Sequence, residues 1–379
     1  MRLSEETPTK IRKTRSTGGV RVRVLDHAKK NSIWLRLTVS VVLAGMLLST
    51  AGCSGSGGQQ TKPSGDQGKK NVADGPKYIF KVGHAMPDKH HYQLGLEKFA
   101  QLAQEKSKGQ IKIEIFPSAQ LGGTRDRTEG VKLGTADMEF VGSPDLARWV
   151  PQFFLFDLPF FIDSPAKADK IMDGPVGEEL RKKAAAAGFE LLGFGENGFR
   201  NVFNKVRPVN KVADLRGLKL RVYPNKLYVE SFTAMGAMPA TTDWGELFTA
   251  LTQGTVDGAE AAEAHFMTGK FYEAGQKYFS LTRHMYIPAL LIMNKGKFNG
   301  LPADLQQALR DSAREAMAYQ RQLSRQQAKD FLQQMSSKGV TVNEVPDKST
   351  FIEPTKSLYE KWTPTIGADL VEMARKSLQ

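Results

Sequence analysis

Cysteine is nearly missing: the 379-residue chain has one, Cys53. A lone thiol closes no intramolecular disulfide, so this is not a disulfide-stapled scaffold. Histidine is scarce as well, with five beyond residue 53: His84, His90, His91, His265 and His284. His90 and His91 are adjacent rather than four apart, so they would not face one way on a helix. The chain has no Gly-x-Ser-x-Gly elbow, no Walker A loop and no His-Glu-x-x-His. Those absences remove the sequence marks of α/β-hydrolases, P-loop nucleotide hydrolases and zinc proteases. Solenoid-type internal repeats are absent too. The apolar run Leu37–Leu48 has only 12 residues, too short to span a bilayer comfortably.

A net charge of +13 suggests a polyanion partner until it is divided along the chain. Residues 1–52 hold ten basic and three acidic side chains; the remaining 327 hold 43 and 37. A body carrying only +6, with no clustered basic face, argues against a nucleic-acid surface. It suits a protein that handles anions one at a time.

What is present begins with the leader. Arg21, Arg23, Lys29, Lys30 and Arg36 precede the apolar run, the n-region and h-region of a secretory signal. The run ends Ser49-Thr50-Ala51-Gly52-Cys53, small residues before a cysteine, which resembles a bacterial lipobox with Thr50 where Leu is usual. The implied chemistry is cleavage before Cys53 and lipid attachment to its thiol. The alternative is an uncleaved signal anchor with an idle cysteine. Residues 53–77 are rich in Gly, Ser, Gln and Lys and read as a flexible tether.

From Tyr78 the pattern alternates. Tyr78–Val82 and Ile111–Ile115 read as strands, and Tyr92–Ala103, Thr124–Leu133 and Ala166–Ala187 as helices. Ala136–Val141 and Phe189–Phe194 read as extended. A second unit follows, with strands at Asn201–Asn204 and Lys219–Val222 and helices near Leu227–Gly236 and Trp244–Gln253. Tyr286–Met293 reads as a buried strand returning to the first unit. Pro302 suits a helix start, and from Ala303 to Ser337 there is no Gly or Pro, which predicts a helix of roughly 50 Å. This is an α/β chain with largely parallel pairing expected.

Arg200, in Glu196-Asn197-Gly198-Phe199-Arg200-Asn201, lies between two apolar strands, and Arg221 ends a short one before Tyr223-Pro224. An arginine in such surroundings must find a partner, because an unpaired buried charge is costly. Its planar fork matches a carboxylate through two parallel hydrogen bonds. Internal ion pairs, with Asp214 or Glu246 for example, fit the pattern equally well. Glu260 and Glu263, three apart, share a helical face, a spacing that usually marks only a solvated surface.

A longer set of segments resembles the extracytoplasmic binding subunits of tripartite ATP-independent periplasmic (TRAP) transporters, the DctP-like family. They include Phe116-Pro117-Ser118-Ala119-Gln120-Leu121-Gly122, Asp157-Leu158-Pro159-Phe160, Glu196-Asn197-Gly198-Phe199-Arg200 and Asp214-Leu215-Arg216-Gly217-Leu218-Lys219-Leu220-Arg221-Val222. Trp244-Gly245-Glu246-Leu247, Val256-Asp257-Gly258-Ala259-Glu260 and Lys270-Phe271-Tyr272-Glu273 complete the order to the C terminus.

The resemblance implies a two-lobed periplasmic-binding-protein-like fold, hinged by crossing strands and the long helix. Lobe I would take residues 78–198 plus about 286–322, and lobe II 199–285 plus about 323–379. It implies Arg221 as the main carboxylate clamp, Arg200 as a second cationic contact, and Trp244, after Thr242-Asp243, lining the cleft. His84, ending the first strand, falls where relatives present first-lobe contacts. That place also suits the rule that ligands bind beyond the carboxyl ends of strands. Glu260 and Glu263 sit where some relatives bind a cation; otherwise no metal or cofactor is implied. One departure is clear: where relatives read Asp-Gly-x-Glu-Asn-Pro, this chain has Asp257-Gly258-Ala259-Glu260-Ala261-Ala262, and Ala261 cannot donate a hydrogen bond. The expectation is a lipid-anchored, non-enzymatic solute-binding protein delivering a small organic anion to membrane subunits. A sensor of the same fold and a cell-envelope hydrolase are the alternatives, and the hydrolase lacks a visible nucleophile–base pair.

Overall fold

The computed structural model describes residues 75–379; the leader and Cys53 lie outside the described residues. Nine strands form one sheet: β1 (Tyr78–Gly83), β2 (Ile111–Phe116), β3 (Met138–Gly142), β4 (Phe189–Asn204), β5 (Lys219–Val222), β6 (Met238–Thr241), β7 (Gly258–Ala261), β8 (Tyr278–Asn294) and β9 (Thr341–Glu344). The order is β2-β1-β3-β8-β4-β7-β5-β6, with β9 on β8. The expected α/β alternation is present, but the pairing is mixed rather than largely parallel. β1 pairs in parallel with β2 and β3, and β5 with β6 and β7, whereas β3–β8, β8–β4 and β4–β7 are antiparallel.

The source of that difference is β4 and β8, of 16 and 17 residues. Sequence suggested two short strands where β4 is one, because Gly195, Asn197 and Gly198 interrupt the apolar pattern. The strand runs through them with register shifts at Leu191/Gly193, Glu196/Gly198 and Arg200/Val202. Such bulges bend a strand and increase its twist without ending it. Gly198 takes φ 117° at the central shift, a conformation that side chains disfavour.

β4 and β8 tie the two halves of the sheet together, and register shows how each half approaches. β3 runs from Met138, opposite Met293, to Gly142, opposite Ala289. β7 runs from Gly258, opposite Asn204, to Ala261, opposite Asn201. Both therefore end toward the middle of the crossing strands, from opposite sides. Their parallel neighbours run the same way, β1 ending at Gly83 opposite Glu139 of β3 and β5 ending just past Arg221, which is opposite Ala259 of β7.

Helices cover the sheet. The long helix Ala303–Met335 has 33 residues and buries Leu305, Ala308, Leu309, Ser312, Ala313, Ala316, Met317, Gln320 and Ser324. Three- and four-residue spacing places these on one stripe, which packs on helix His91–Lys106 and on β4. Ala166–Ala187, expected as one helix, is two, Pro165–Asp173 and Pro175–Ala186. Pro175 has no N–H and its ring would clash with the preceding turn. Trp244 opens a short 3-10 turn, Trp244–Glu246, ahead of helix Leu247–Thr252. The C-terminal helices differ from the expected division of the chain. Leu358, Trp362, Ile366 and Leu370 join a core with Leu155, Ile171, Leu180 and Ile292, so they pack chiefly with the first half of the sheet. Their apolar stripes match the face left by Pro165–Ala186, a tertiary preference that composition does not reveal. Among the described residues no helix is long and apolar enough to cross a membrane.

Candidate functional site

Where the strand ends converge there is a cavity. Its walls are Ala85 and Met86 after β1, Phe140, Val141, Gly142 and Asp145 at the end of β3, Asn197 on β4, Arg221, Tyr223 and Pro224 at the end of β5, and Asp243 and Trp244 after β6. Tyr92, Thr124, Arg127 and His265 complete it. Two glycines make room for the polar side chains. A Cβ on Gly83 would meet Arg127 Cδ at 2.9 Å, and one on Gly142 would meet the Tyr223 hydroxyl at 2.8 Å.

Arg221 is 1% exposed. Its Nε and Nη2 donate to the Thr242 carbonyl at 2.9 and 2.7 Å. Nη1 is buried and has no hydrogen-bond partner among the described residues. One edge of the guanidinium is therefore fixed by backbone, while the Nη1–Nη2 end remains able to donate. Burial lowers its affinity for the proton, although Glu260 pulls the other way; an arginine still remains charged. Its guanidinium carbon lies 5.4 Å from the Tyr223 ring centroid and 5.8 Å from that of Trp244. Trp244 is oriented in turn by edge contacts with His265 and Phe271. Sequence placed Arg221, Trp244 and Asp243 at one site, and the structure brings these three together.

Arg200 and Glu260 are brought together with each other instead. Arg200 Nε donates to Glu260 Oε2 at 2.6 Å, Nη2 to the Glu260 carbonyl at 2.6 Å and Oε1 at 3.1 Å, and Nη1 to Asn197 Oδ1 at 3.0 Å. Both side chains are fully buried. Burial alone would raise the Glu260 carboxyl, but Arg200 and His284 together hold it below the usual carboxylate range. The ion pair that sequence left open as an alternative is real, with Glu260 rather than Asp214 or Glu246. Neither residue lines the cavity wall, so both lie behind it. Glu263, by contrast, receives a bond from Asn201 Nδ2 at 3.0 Å; burial pushes its carboxyl up to about 7. His84 is also displaced from the wall: Nε2 pairs with Gln93 and Nδ1 accepts from Met86 N–H. Its neighbours Ala85 and Met86 line the cavity instead.

Among the wall residues that escaped the sequence reading, four carry polar groups next to Arg221 or across the cavity from it. Arg127 is anchored to Glu139 at 3.1 Å, with further bonds to the Gly122 carbonyl and Thr124. Glu139 is buried, which raises its carboxyl to about 8 against the pull of Arg127. Asn197 donates to Tyr92 Oη at 2.9 Å and faces His265 Nε2 at 3.0 Å. Asp145 and Tyr223 complete the four. Asn197 and Tyr223 sit inside segments already singled out around the arginines, so their neighbours were the available signal.

His90, His91 and His265 are all buried and bring three ring nitrogens within 4.8 Å, a possible metal set by distance. Their lone pairs are already engaged. Gln320 is oriented by Glu196, whose N–H it accepts and whose carbonyl it bonds, so its amide donates to His91 Nδ1. Tyr92 N–H points at His90 Nδ1. Asn197, fixed by Arg200, presents its amide to His265 Nε2. A donor therefore faces one nitrogen of each ring, and the remaining nitrogens of His90 and His265 face each other, Nε2 to Nδ1, at 3.3 Å. Burial keeps these rings uncharged: His91 falls to about 3, and His90 and His265 lie well below the ordinary value.

A mixed sheet crossed by two long strands, with a cationic cavity at converging strand ends, suits a protein that binds a small anion. The chain belongs to the family described as bacterial extracellular solute-binding protein, family 7, which it matches over residues 82–365. It is 36% identical over 296 residues to the 2,3-diketo-L-gulonate-binding periplasmic protein of Escherichia coli (strain K12), covering 77% of this chain and 90% of that protein. Among solved structures, a TRAP periplasmic solute-binding protein from Polaromonas sp. JS666 bound to D-erythronate superposes with TM-score 0.76 at 33% identity, covering 78% of this chain and 98% of that one. The sugar acid binding protein of Advenella mimigardefordensis strain DPN7T, in complex with galactonate, gives 0.77 at 32% identity, covering 80% and 99%. The family is one of binding proteins, extracytoplasmic in placement.

Proposed function

We propose that this protein captures a small organic anion, a carboxylate or an acidic sugar, and delivers it to the membrane subunits of a TRAP-type transporter. The observation that carries the reading is Arg221, buried at the cavity wall with Nη1 unpartnered. A desolvated guanidinium with an open donor edge favours a carboxylate, which accepts two parallel bonds from it. Erythronate and galactonate, bound by the structural relatives, are ligands of that chemistry. We assign the cavity no catalytic step.

The cavity holds about 30 Å³, room for about one or two waters. A sugar acid enters only if the walls part, so the two halves of the sheet act as lobes that open and close about β4 and β8. Water exclusion on closure strengthens the bonds to Arg221. Membrane attachment rests on Cys53 and the apolar run before it. Replacing Cys53 with Ser is expected to abolish lipid labelling and release the protein from membranes; unchanged partitioning would remove the anchor from this account.

The central test is Arg221→Ala. Removing one partner of a buried charge pair costs about 3–5 kcal/mol, or on the order of 10²–10³-fold in affinity. Arg221→Lys should recover part of the loss, since a point charge lacks the fork. Calorimetry that finds Arg221→Ala within about threefold of wild type would sink the assignment.

A further inference from the structure

The charged groups of the cavity are unequal in their commitments. Arg127 is tied to Glu139, Thr124 and the Gly122 carbonyl, which leaves Arg221 as the cation with an open donor edge. Two acids share its walls, Asp145 and Asp243. Asp243 is exposed, whereas Asp145 is half-buried. Asp145 follows β3 through Ser143 and Pro144 and stands between two spaces. One is the cavity itself; the other is an outer basin of about 360 Å³ walled by Trp149, Phe154 and Pro224, which shares Asp145, Tyr223 and Asp243 with it.

Among the described residues no donor bonds the Asp145 carboxyl, unlike the buried acids Glu139 and Glu260. Burial pushes it up to about 7 even though Arg221 and Arg127 pull it down. The carboxyl is half-buried and its oxygens are not among the enclosed unpartnered atoms, so water serves it until donors of a ligand replace that water. Groups that arrive with the ligand can supply the missing donors, and hydroxyls suit an acid placed a short way from a carboxylate clamp. A second carboxylate in the same place would set like charges side by side in a partly solvated space. The outer cations Arg125, Arg148 and Lys226 are exposed, so solvent and salt screen them from that contact.

We propose that Asp145 is the specificity-determining residue of this site, accepting hydrogen bonds from the hydroxyls of a polyhydroxy monocarboxylic acid and rejecting dicarboxylic acids of equal length. The inference rests on Arg221 holding the ligand's carboxylate. It narrows the substrate class from organic anions in general to sugar acids with one charge.

D-galactonate and galactarate test it, since they share a carbon chain and its inner hydroxyls and differ by one terminal carboxylate. Calorimetry on the full chain at pH 8 is expected to show galactonate binding at least about tenfold tighter, a difference of roughly 1.4 kcal/mol. Asp145→Asn should weaken galactonate about tenfold and bring the two acids within about threefold of each other. Wild type binding galactarate as tightly as galactonate would overturn the proposal. So would an Asp145→Asn variant with an unchanged ratio; if Arg221→Ala abolished binding of both acids in that case, the clamp would stand without Asp145. Binding of neither acid by wild type would overturn the substrate class itself. Should Asp145→Asn fail to fold, the wild-type comparison of the two acids decides.

Discussion

Each nitrogen of Arg200 already donates to Glu260 or Asn197, which sets its consequences apart from those of Arg221. Truncating it leaves the Glu260 carboxylate buried without a counter-charge, a loss of about 3–5 kcal/mol in stability. Urea unfolding of Arg200→Ala is expected to show that loss, with affinity in the folded fraction reduced less than by Arg221→Ala. A double replacement, Arg200→Met with Glu260→Leu, should recover much of the stability, because it removes both charges together. Near-normal stability with affinity as low as in Arg221→Ala would instead make Arg200 a direct ligand contact. The contrast explains what a sequence can give at this scale. Two arginines on apolar stretches announce that each needs a partner, and the partner of Arg200 lies 60 residues away on β7. Arg125 and Arg127 look alike in Thr124-Arg125-Asp126-Arg127, yet Glu139 and the gap at Gly83 draw only Arg127 inward. Asp145 was hidden for the same reason: it shares a cavity with Tyr223 and Arg221, which arrive from across the sheet.

At the scale of elements, periodic patterns survived and continuity did not. Tyr78–Gly83, Ile111–Phe116, Thr124–Leu133 and the helix after Pro302 are legible because each buries one face at a fixed period. β6, β7 and β9 are four residues each, and Met238-Pro239-Ala240-Thr241 or Gly258-Ala259-Glu260-Ala261 carries little strand preference of its own. They are strands because neighbours supply their ladders: Leu220 and Arg221 pair with both β6 and β7. β4 shows the opposite case. Its glycines read as breaks, whereas in the fold they let other groups approach. A Cβ on Gly195 would meet Gln320 Oε1 at 2.6 Å and Phe140 Cζ at 2.8 Å, and one on Gly193 would meet Met317 Cγ at 2.7 Å. Close contact between the long helix and the middle of β4 is therefore written in residues that look like interruptions.

For the whole molecule, the cavity lies where both sets of strands end, so any motion that opens it must separate those ends. The connection that must bend is β4 with β8, and their register shifts already concentrate between Leu191 and Val202. The long helix holds that region by Gln320, bonded to Glu196 and His91, and Ser324 adds a contact to His91. These bonds sit at the centre of the crossing strands, where a rotation of the halves changes distances least. Opening then costs mainly the contacts across the cavity, such as Tyr223 against Gly142, while the core on each side stays packed. A ligand held, as proposed, by Arg221 on one side and Asp145 on the other would have differential affinity for the closed arrangement, which is the condition for shifting the population toward it. Solution scattering should give a smaller radius of gyration with saturating ligand than without. At 100 times its dissociation constant the same ligand should stabilise the fold by about 2.7 kcal/mol, which confirms saturation independently in a thermal melt. Stabilisation of that size with superimposable scattering profiles would show a cavity that fills without lobe movement.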